Sequence, residues 1–326
     1  ASRVTYDYDD RYFMEFNIGY NGSENFPKKN RFGVFPAVAA GWLVSNEKFW
    51  NGDLKKIITI LKLKGSYGLV GSEALPGGER YGYLSIYGGG LGGYHFGETP
   101  KSYGGVGLNR IGVEDLTWEK GIKKNVGLEM LLLNGDISFE IDFFHEHRYD
   151  ILLRRESLPA IVGINSVPFA NLGEMINKGF DGTLELSKSY QNGFTRVYGN
   201  YTFARDKIIE MDEPNRNYEY RQRTGHKYGQ VFGLVATKYF DDELEIENSP
   251  EQTFGEVRPG DIKYHDTNGD GKITIDDEVP IGYSNLPEIN YVFGMQTMFH
   301  DFDIGVFFRG QARVSYALGG AYIPFR

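Results

Sequence analysis

Residues 11–20 read RYFMEFNIGY. Tyr12, Met14, Phe16, Ile18 and Tyr20 share one parity. Glu15, Asn17 and Gly19 take the other, and only Phe13 is out of place. A period of two is the signature of a strand, because successive side chains of an extended chain point to opposite sides. Such a strand carries one unbroken apolar face, and that face must leave water. The pattern returns along the chain. Ile137, Phe139, Ile141 and Phe143 alternate with Ser138, Glu140 and Asp142. Val197, Gly199, Tyr201 and Phe203 alternate with Arg196, Asn200 and Thr202, and Phe302, Ile304, Val306 and Phe308 with Asp303, Gly305 and Arg309. Less regular segments lie at 3–8, 32–43, 58–67, 122–133, 180–187, 230–239, 290–298 and 313–318. The total is roughly a dozen strands. No amphipathic helix of useful length is visible, although 45–54 can hold one helical turn or two.

Two architectures hide such faces. A soluble sandwich seals them between two sheets. A transmembrane barrel turns them to hydrocarbon, with strands of about 8–11 residues tilted across the bilayer. The rows here end in aromatic rings, and the chain holds 23 Tyr, 23 Phe and 43 Gly against 3 Trp. Rings of that kind suit a polar–apolar boundary, and glycine suits tight turns. No run of 18 apolar residues exists; the stretch 35–44 is broken by Pro36 and Gly41. A membrane-spanning helix is therefore excluded, which leaves a barrel open.

The connections alternate in length. YDYDDRY (6–12), LNGDIS (133–138) and SYQNGF (189–194) are short turns, the last with an Asn-Gly pair that predicts a type I′ geometry. Those at 71–113, 148–178, 207–228 and 241–288 are long. Short periplasmic turns with long outside loops are the habit of outer-membrane barrels. The expected fold is all-β, an antiparallel transmembrane β-barrel whose polar parity lines a wide lumen that needs a plug. The alternative is a secreted, calcium-dependent, glycan-binding β-sandwich.

Other classes drop out on composition. A net charge of −9 is wrong for sequence-independent nucleic-acid binding, which works by neutralising phosphates. With no cysteine there are no disulfides, thiolate metal sites or thiol nucleophiles. No nucleophile–base pair or acid–base carboxylate pair stands out, so no enzyme is expected.

Several stretches resemble landmarks of the SusC/RagA family of TonB-dependent outer-membrane transporters. They are YNGSENFPKKNRFGVFPAVAAGW (20–42), LKLKGSYGLVG (61–71), TWEK (117–120), FFHEHRYDILLRRESLPAIVG (143–163), NLGEMINKGFDGTLEL (171–186) and PGDIKYHDTNGDGKITIDDEVPIGYSNLPEINYVFG (259–294). Asn171, Gly173, Asn177 and Gly179 match an Asn-x-Gly-x-x-x-Asn-x-Gly pattern, and Asp150-Ile151-Leu152 an Asp-Leu-Leu element. The order is the family's, over nearly the whole chain. The resemblance implies TonB-driven import of oligosaccharides or peptides across the outer membrane, with a SusD-like surface lipoprotein as partner. It also implies that residues 1–326 are part of a barrel. The plug, the TonB-contacting segment and the first and last strands would lie outside these residues, in this chain or in others, because open strand edges are not tolerated in lipid.

The strongest local motif is DTNGDGKITIDD (266–277). Asp266, Asn268, Asp270, the Lys272 carbonyl, Thr274 and Asp277 take positions 1, 3, 5, 7, 9 and 12 of a calcium loop, with Gly271 at the sharp turn. The shorter Asp277 stands where Glu is usual, and no flanking helices are evident. Ca²⁺ is expected over Mg²⁺ because the donors are all protein groups. Tyr81, Tyr83 and Tyr87, in the first long connection, are candidate cargo contacts through ring stacking. GGGLGG (88–93) has dinucleotide-loop spacing but no helix after it, and reads as a flexible outside loop. His145 and His147 lack a third ligand and read as water-facing. RRE (154–156) and RQR (221–223) are loop charges that can meet solvent or lipopolysaccharide phosphate.

Overall fold

The structure, a computed structural model, describes residues 1–75, 80–98, 101–158, 161 and 167–316. In chain order the strands are β1 (Ser2–Tyr8), β2 (Tyr12–Gly22), β3 (Phe32–Leu43), β4 (Ile58–Ser72), β5 (Ile86–Phe96), β6 (Lys101–Arg110) and β7 (Glu119–Leu132). Next come β8 (Ile137–Arg154), β9 (Phe169–Tyr190), β10 (Gly193–Glu210), β11 (Gln230–Gly233), β12 (Ala236–Tyr239) and β13 (Glu251–Gln252). The last are β14 (Ile262–Tyr264), β15 (Lys272–Ile273), β16 (Val279–Ser284), β17 (Ile289–Phe299) and β18 (Phe302–Ala312). Ten of them form one antiparallel sheet in the order β1-β2-β3-β4-β7-β8-β9-β10-β17-β18. The remaining strands make two-stranded ribbons inside the connections: β5 with β6, β11 with β16, β12 with β14 and β13 with β15.

The register carries the two parities across the whole sheet. One cross-strand row runs Tyr6, Met14, Ala40, Gly65, Val126, Phe143, Phe180, Phe203, Ile289, Ala312. Every member is apolar. One residue along, on the other face, the row runs Asp7, Phe13, Gly41, Lys64, Gly127, Asp142, Asp181, Thr202, Asn290, Gln311. A one-residue slip anywhere would exchange these faces, so the hydrophobic pattern specifies the pairing.

The apolar face is not covered by protein. Val126 is 65% exposed, Phe143 54% and Ile304 60%. Among the described residues no second sheet lies over it, which overturns the sandwich alternative. Ten apolar strand faces open to the surroundings are far beyond the patch a soluble monomer leaves bare. Rings border the face at the turn end, with Tyr8 beside Tyr12 and Tyr190 beside Phe299. At the other end Tyr20 stacks on Phe32.

Tight turns close one end of the sheet. Asp9 and Asp10 both have positive φ (56° and 49°) between β1 and β2. The β9–β10 turn differs from the type I′ expectation. Its two residues, 191 and 192, have no positive φ, and Gly193 already pairs with Tyr190 in the ladder. The connection 44–57 at this end contains a 3₁₀ turn and the short helix α1 (Asp53–Ile57), as expected. Long connections occupy the opposite end.

Three strand expectations change. Residues 230–239 form β11 and β12 in a connection rather than a barrel strand; of the segment 313–318, Arg313–Tyr316 are not strand and residues 317 and 318 lie outside the described ones. The described residues of the stretch 148–178 are mostly strand, because β8 runs on to Arg154 and β9 begins at Phe169. Among the described residues the expected dozen or so sheet strands become ten.

Candidate functional site

The polar face has a charged centre. Lys64 Nζ lies 3.0 Å from Glu129 Oε1, 2.5 Å from Glu140 Oε1 and 3.0 Å from Asp142 Oδ2. Lys62 reaches Glu129 at 3.5 Å, and Asp181 is the cross-strand partner of Asp142. Four carboxylates around two ammonium groups give this wall a net negative field. Alternation forces the cluster inward, since each member is one residue from an outward apolar neighbour.

Toward the long-loop end the same face holds a cavity of about 430 Å³, lined by Glu146, Arg148, Asn177, Asp206, Tyr228 and Glu288 among others. Glu288, with 4% of its side chain exposed, organises one edge. It accepts two hydrogen bonds from Arg205 (2.9 and 3.0 Å), and also meets Lys227 and Arg313. Burial pushes the Glu288 carboxyl up, but the Arg205 and Lys227 contacts outweigh it and hold the group down at about 2.

A small apolar core supports the connections at this end. Phe26, Leu116 and Trp118 are buried, with Phe35, Leu75, Tyr83, Val113 and Leu152 packed around them. The Trp118 ring centre is 5.0 Å from Phe26 and 5.2 Å from Phe35. Beside it Asn171 clasps three segments. Its Oδ1 accepts from Thr117 N (3.0 Å), and its Nδ2 donates to Thr117 O (3.0 Å) and Asp150 O (2.7 Å). Asp150, at φ 55°, sits where the β8–β9 register shifts.

A sequence profile described as "TonB dependent receptor-like, beta-barrel" matches residues 3–320. This chain belongs to the TonB-dependent receptor family. TonB-dependent receptors lie in the bacterial outer membrane, and the family comprises transporters rather than enzymes. The outward apolar face is therefore the lipid face of a barrel wall. TonB-dependent receptor P3 of Formosa agariphila is 25% identical over 94% of this chain and 31% of its own length. The receptor SusC of Bacteroides thetaiotaomicron is 30% identical over 64% of this chain and 20% of its own length. The solved RagAB peptide importer in its open-open state superposes with a TM-score of 0.75 at 19% identity, covering 96% of this chain and 32% of that one. The chain thus spans about a third of the length of the curated receptors P3 and P26.

Within this TonB-dependent receptor wall the landmarks read from sequence converge. Phe26 and Phe35, Trp118, Leu152, and Asn171 come from four separate stretches and meet in the apolar core and its clasp. Of the candidate cargo tyrosines, Tyr83 packs on that core, whereas Tyr87 projects from β5 and is 70% exposed. Tyr81 has φ 53° and lies under the Arg80 guanidinium. No ring contact joins the three among the described residues. The glycines of 88–93 lie in β5, in a paired ribbon rather than a loose loop. Arg155 pairs with Asp212, and Arg221 with Asp276, so these loop cations tie connections together. His145 and His147 fall on the outward parity with Phe143, and His147 Nε2 lies 2.6 Å from Glu174 Oε1.

The 266–277 loop is organised by its own amides. Asp266 accepts from Gly269 N (2.7 Å) and Gly271 N (2.9 Å), Asn268 Oδ1 from Asp270 N (2.9 Å), and Asp270 from Lys272 N (2.8 Å). Asp277 is fully buried and accepts from Thr267 N and Thr274 N, both at 2.8 Å. The Thr274 hydroxyl caps Asp276 N. Among the described residues no three His, Asp or Glu side chains converge as a metal set.

Proposed function

We propose that this chain is the wall and outer-loop portion of a TonB-dependent importer of oligosaccharides or peptides. A SusD-like lipoprotein would cover the outer end, and TonB would supply energy through a segment outside this chain. Further strands and a plug would complete the barrel at the free edges β1 and β18. The observation that carries this is the two-faced ten-strand sheet in a chain whose relatives include SusC and the RagAB peptide importer. The acidic inner wall and the 430 Å³ cavity offer the plug and the cargo polar surface. Tyr87 is the best placed of the three tyrosines for stacking on cargo, with Tyr81 and Tyr83 shaping its loop.

The test is uptake by whole cells carrying the full-length receptor. Labelled oligosaccharide and peptide pools are supplied with and without the receptor gene, and with the inner-membrane proton gradient collapsed. One pool is expected to enter only with the receptor and the gradient. Uptake of both pools independent of the receptor ends the proposal. Calcium at Asp266–Asp277 is a separate proposal, supported by the position 1-3-5 spacing and the tight Gly271 turn (φ 83°). Titrating Ca²⁺ into chelator-treated full-length receptor should give one stoichiometric heat. Its absence leaves the loop as an amide-stabilised turn.

A further inference from the structure

The outward face changes chemistry along a single register row. One step toward the long loops from Val126, Phe143, Phe180 and Phe203 lie Lys124, His145, Lys178 and Arg205. These four are directly opposed on adjacent strands, so four basic side chains form a line roughly 14 Å long. Lys178 and Arg205 are like charges directly opposite one another, which is destabilising in a sheet unless something neutralises them. Arg205 has Glu288. Lys124 lies over the Tyr67 ring, and Lys178 and Lys207 have no carboxylate partner among the described residues. His145 Nδ1 has no hydrogen-bond partner either.

Above this line is a cavity of about 380 Å³ lined by Ile176, Lys178, Arg205 and Lys207 from the outward face, and by His226 and Lys227 from the adjoining connection. Asp206 is the one carboxylate in its lining, and it accepts a hydrogen bond from Tyr228 N. The geometry also says where the cavity sits. Barrel strands tilt by roughly 40°, so a cross-strand row climbs about 3 Å per strand. The same row that holds the four bases on β7–β10 holds Val4, Phe16, Val38 and Tyr67 on β1–β4. It leaves hydrocarbon as it climbs and reaches the headgroup layer at β7.

We propose that the outward face of β7–β10 binds the phosphate groups of the outer-leaflet lipid through Lys124, Lys178 and Lys207, with Arg205 and His145 at the edges of the site. The occupant is a lipid phosphate rather than an acidic protein for two reasons. The cations are contiguous with the lipid-facing apolar row, one residue pair below them. Long lysine side chains there rise naturally to the headgroup oxygens. This goes beyond the import proposal and stands on the barrel register alone, whatever the cargo.

The test uses full-length receptor in detergent, with bis-phosphorylated lipid A and its dephosphorylated form as probes, read as bound lipid by native mass spectrometry. Wild type should retain the phosphorylated form. The double variant Lys178→Gln/Lys207→Gln should retain it about tenfold less, roughly 1.4 kcal/mol. Lys178→Arg/Lys207→Arg should keep it. Dephosphorylated lipid should bind all three equally and weakly. Equal retention of phosphorylated lipid by wild type and the Gln variant overturns the site. Equal retention of both lipids by wild type overturns the phosphate, and inorganic phosphate binding as tightly as lipid A overturns the lipid. A second measurement needs no variant: retention of the phosphorylated form by wild type should fall with rising salt, and salt-independent retention also overturns the proposal.

Discussion

Ile141 and Asp142 are neighbours on β8, and they live in different solvents. Ile141 belongs to the outward face, where the row through its neighbour Phe143 stays apolar across all ten strands. Asp142 belongs to the inward face and contacts Lys64 at 3.0 Å. Among the described residues no second sheet covers the apolar rows of the outward face. The inward face buries little as well, but it builds ion pairs, a cavity and, at the loop end, the only compact apolar cluster described, around Trp118. In an ordinary globular domain one hydrophobic core holds the sheet. Here hydrocarbon takes that role on one side, and the inner side is freed for charge.

The sharpest way to break the comparison is to put one charge on each face. Ile141→Arg, near the middle of the outward apolar span of β8, should cost about 2–4 kcal/mol of folding free energy in bilayers. Thr202→Arg, on the inward row, should cost well under half of that. Equal costs, measured by denaturant titration of the full-length receptor in vesicles, would mean the faces are not separate solvents.

Removing the clasp is expected to come next. Asn171→Ala strands the Thr117 and Asp150 backbone groups and should cost about 1–3 kcal/mol. The loss should appear as faster amide exchange in the 113–118 segment, with the sheet unaffected.

Lys64→Met leaves Glu129, Glu140 and Asp142 facing one another with Lys62 as the remaining cation. The site is partly hydrated, so about 1–2 kcal/mol is expected. Glu140→Gln in the same background should recover part of it. A neutral result would show that lumen water alone supports the carboxylates.

The smallest effect is one of pH. Glu288 has an ordinary value of 4.5 and is held at about 2 in the folded state. Its ionised form therefore stabilises the fold fully above about pH 4.5, and that contribution is lost as pH falls toward 2. Exchange protection around 225–230 should fall over this window in wild type. In Glu288→Gln it should be low and flat.

Much of the wall was legible from parity. The outward residues of β2, β8, β10 and β18 are the alternating ones in the sequence, and β3 runs over 32–43 as expected. The family landmarks were legible as patterns, though not as contacts. Nothing in NLGEM announces that Asn171 closes on the Thr117 backbone, because that bond joins residues 54 apart. The Asn-Gly pair at 192–193 misled, since ladder pairing of Gly193 with Tyr190 outweighed the local turn preference. The shared parity of the histidines with Phe143 was visible in the sequence, but the contact of His147 with Glu174, 27 residues away, was not.

Strand existence, facing and the absence of a helical span follow from one-dimensional pattern, because a period of two permits only two sides and each residue's neighbours enforce it. The alignment of Lys124, His145, Lys178 and Arg205, the charges gathered on Lys64, and the core around Trp118 do not. They depend on how far each strand is offset against the next, and that offset is settled by many weak pairings acting together across the sheet.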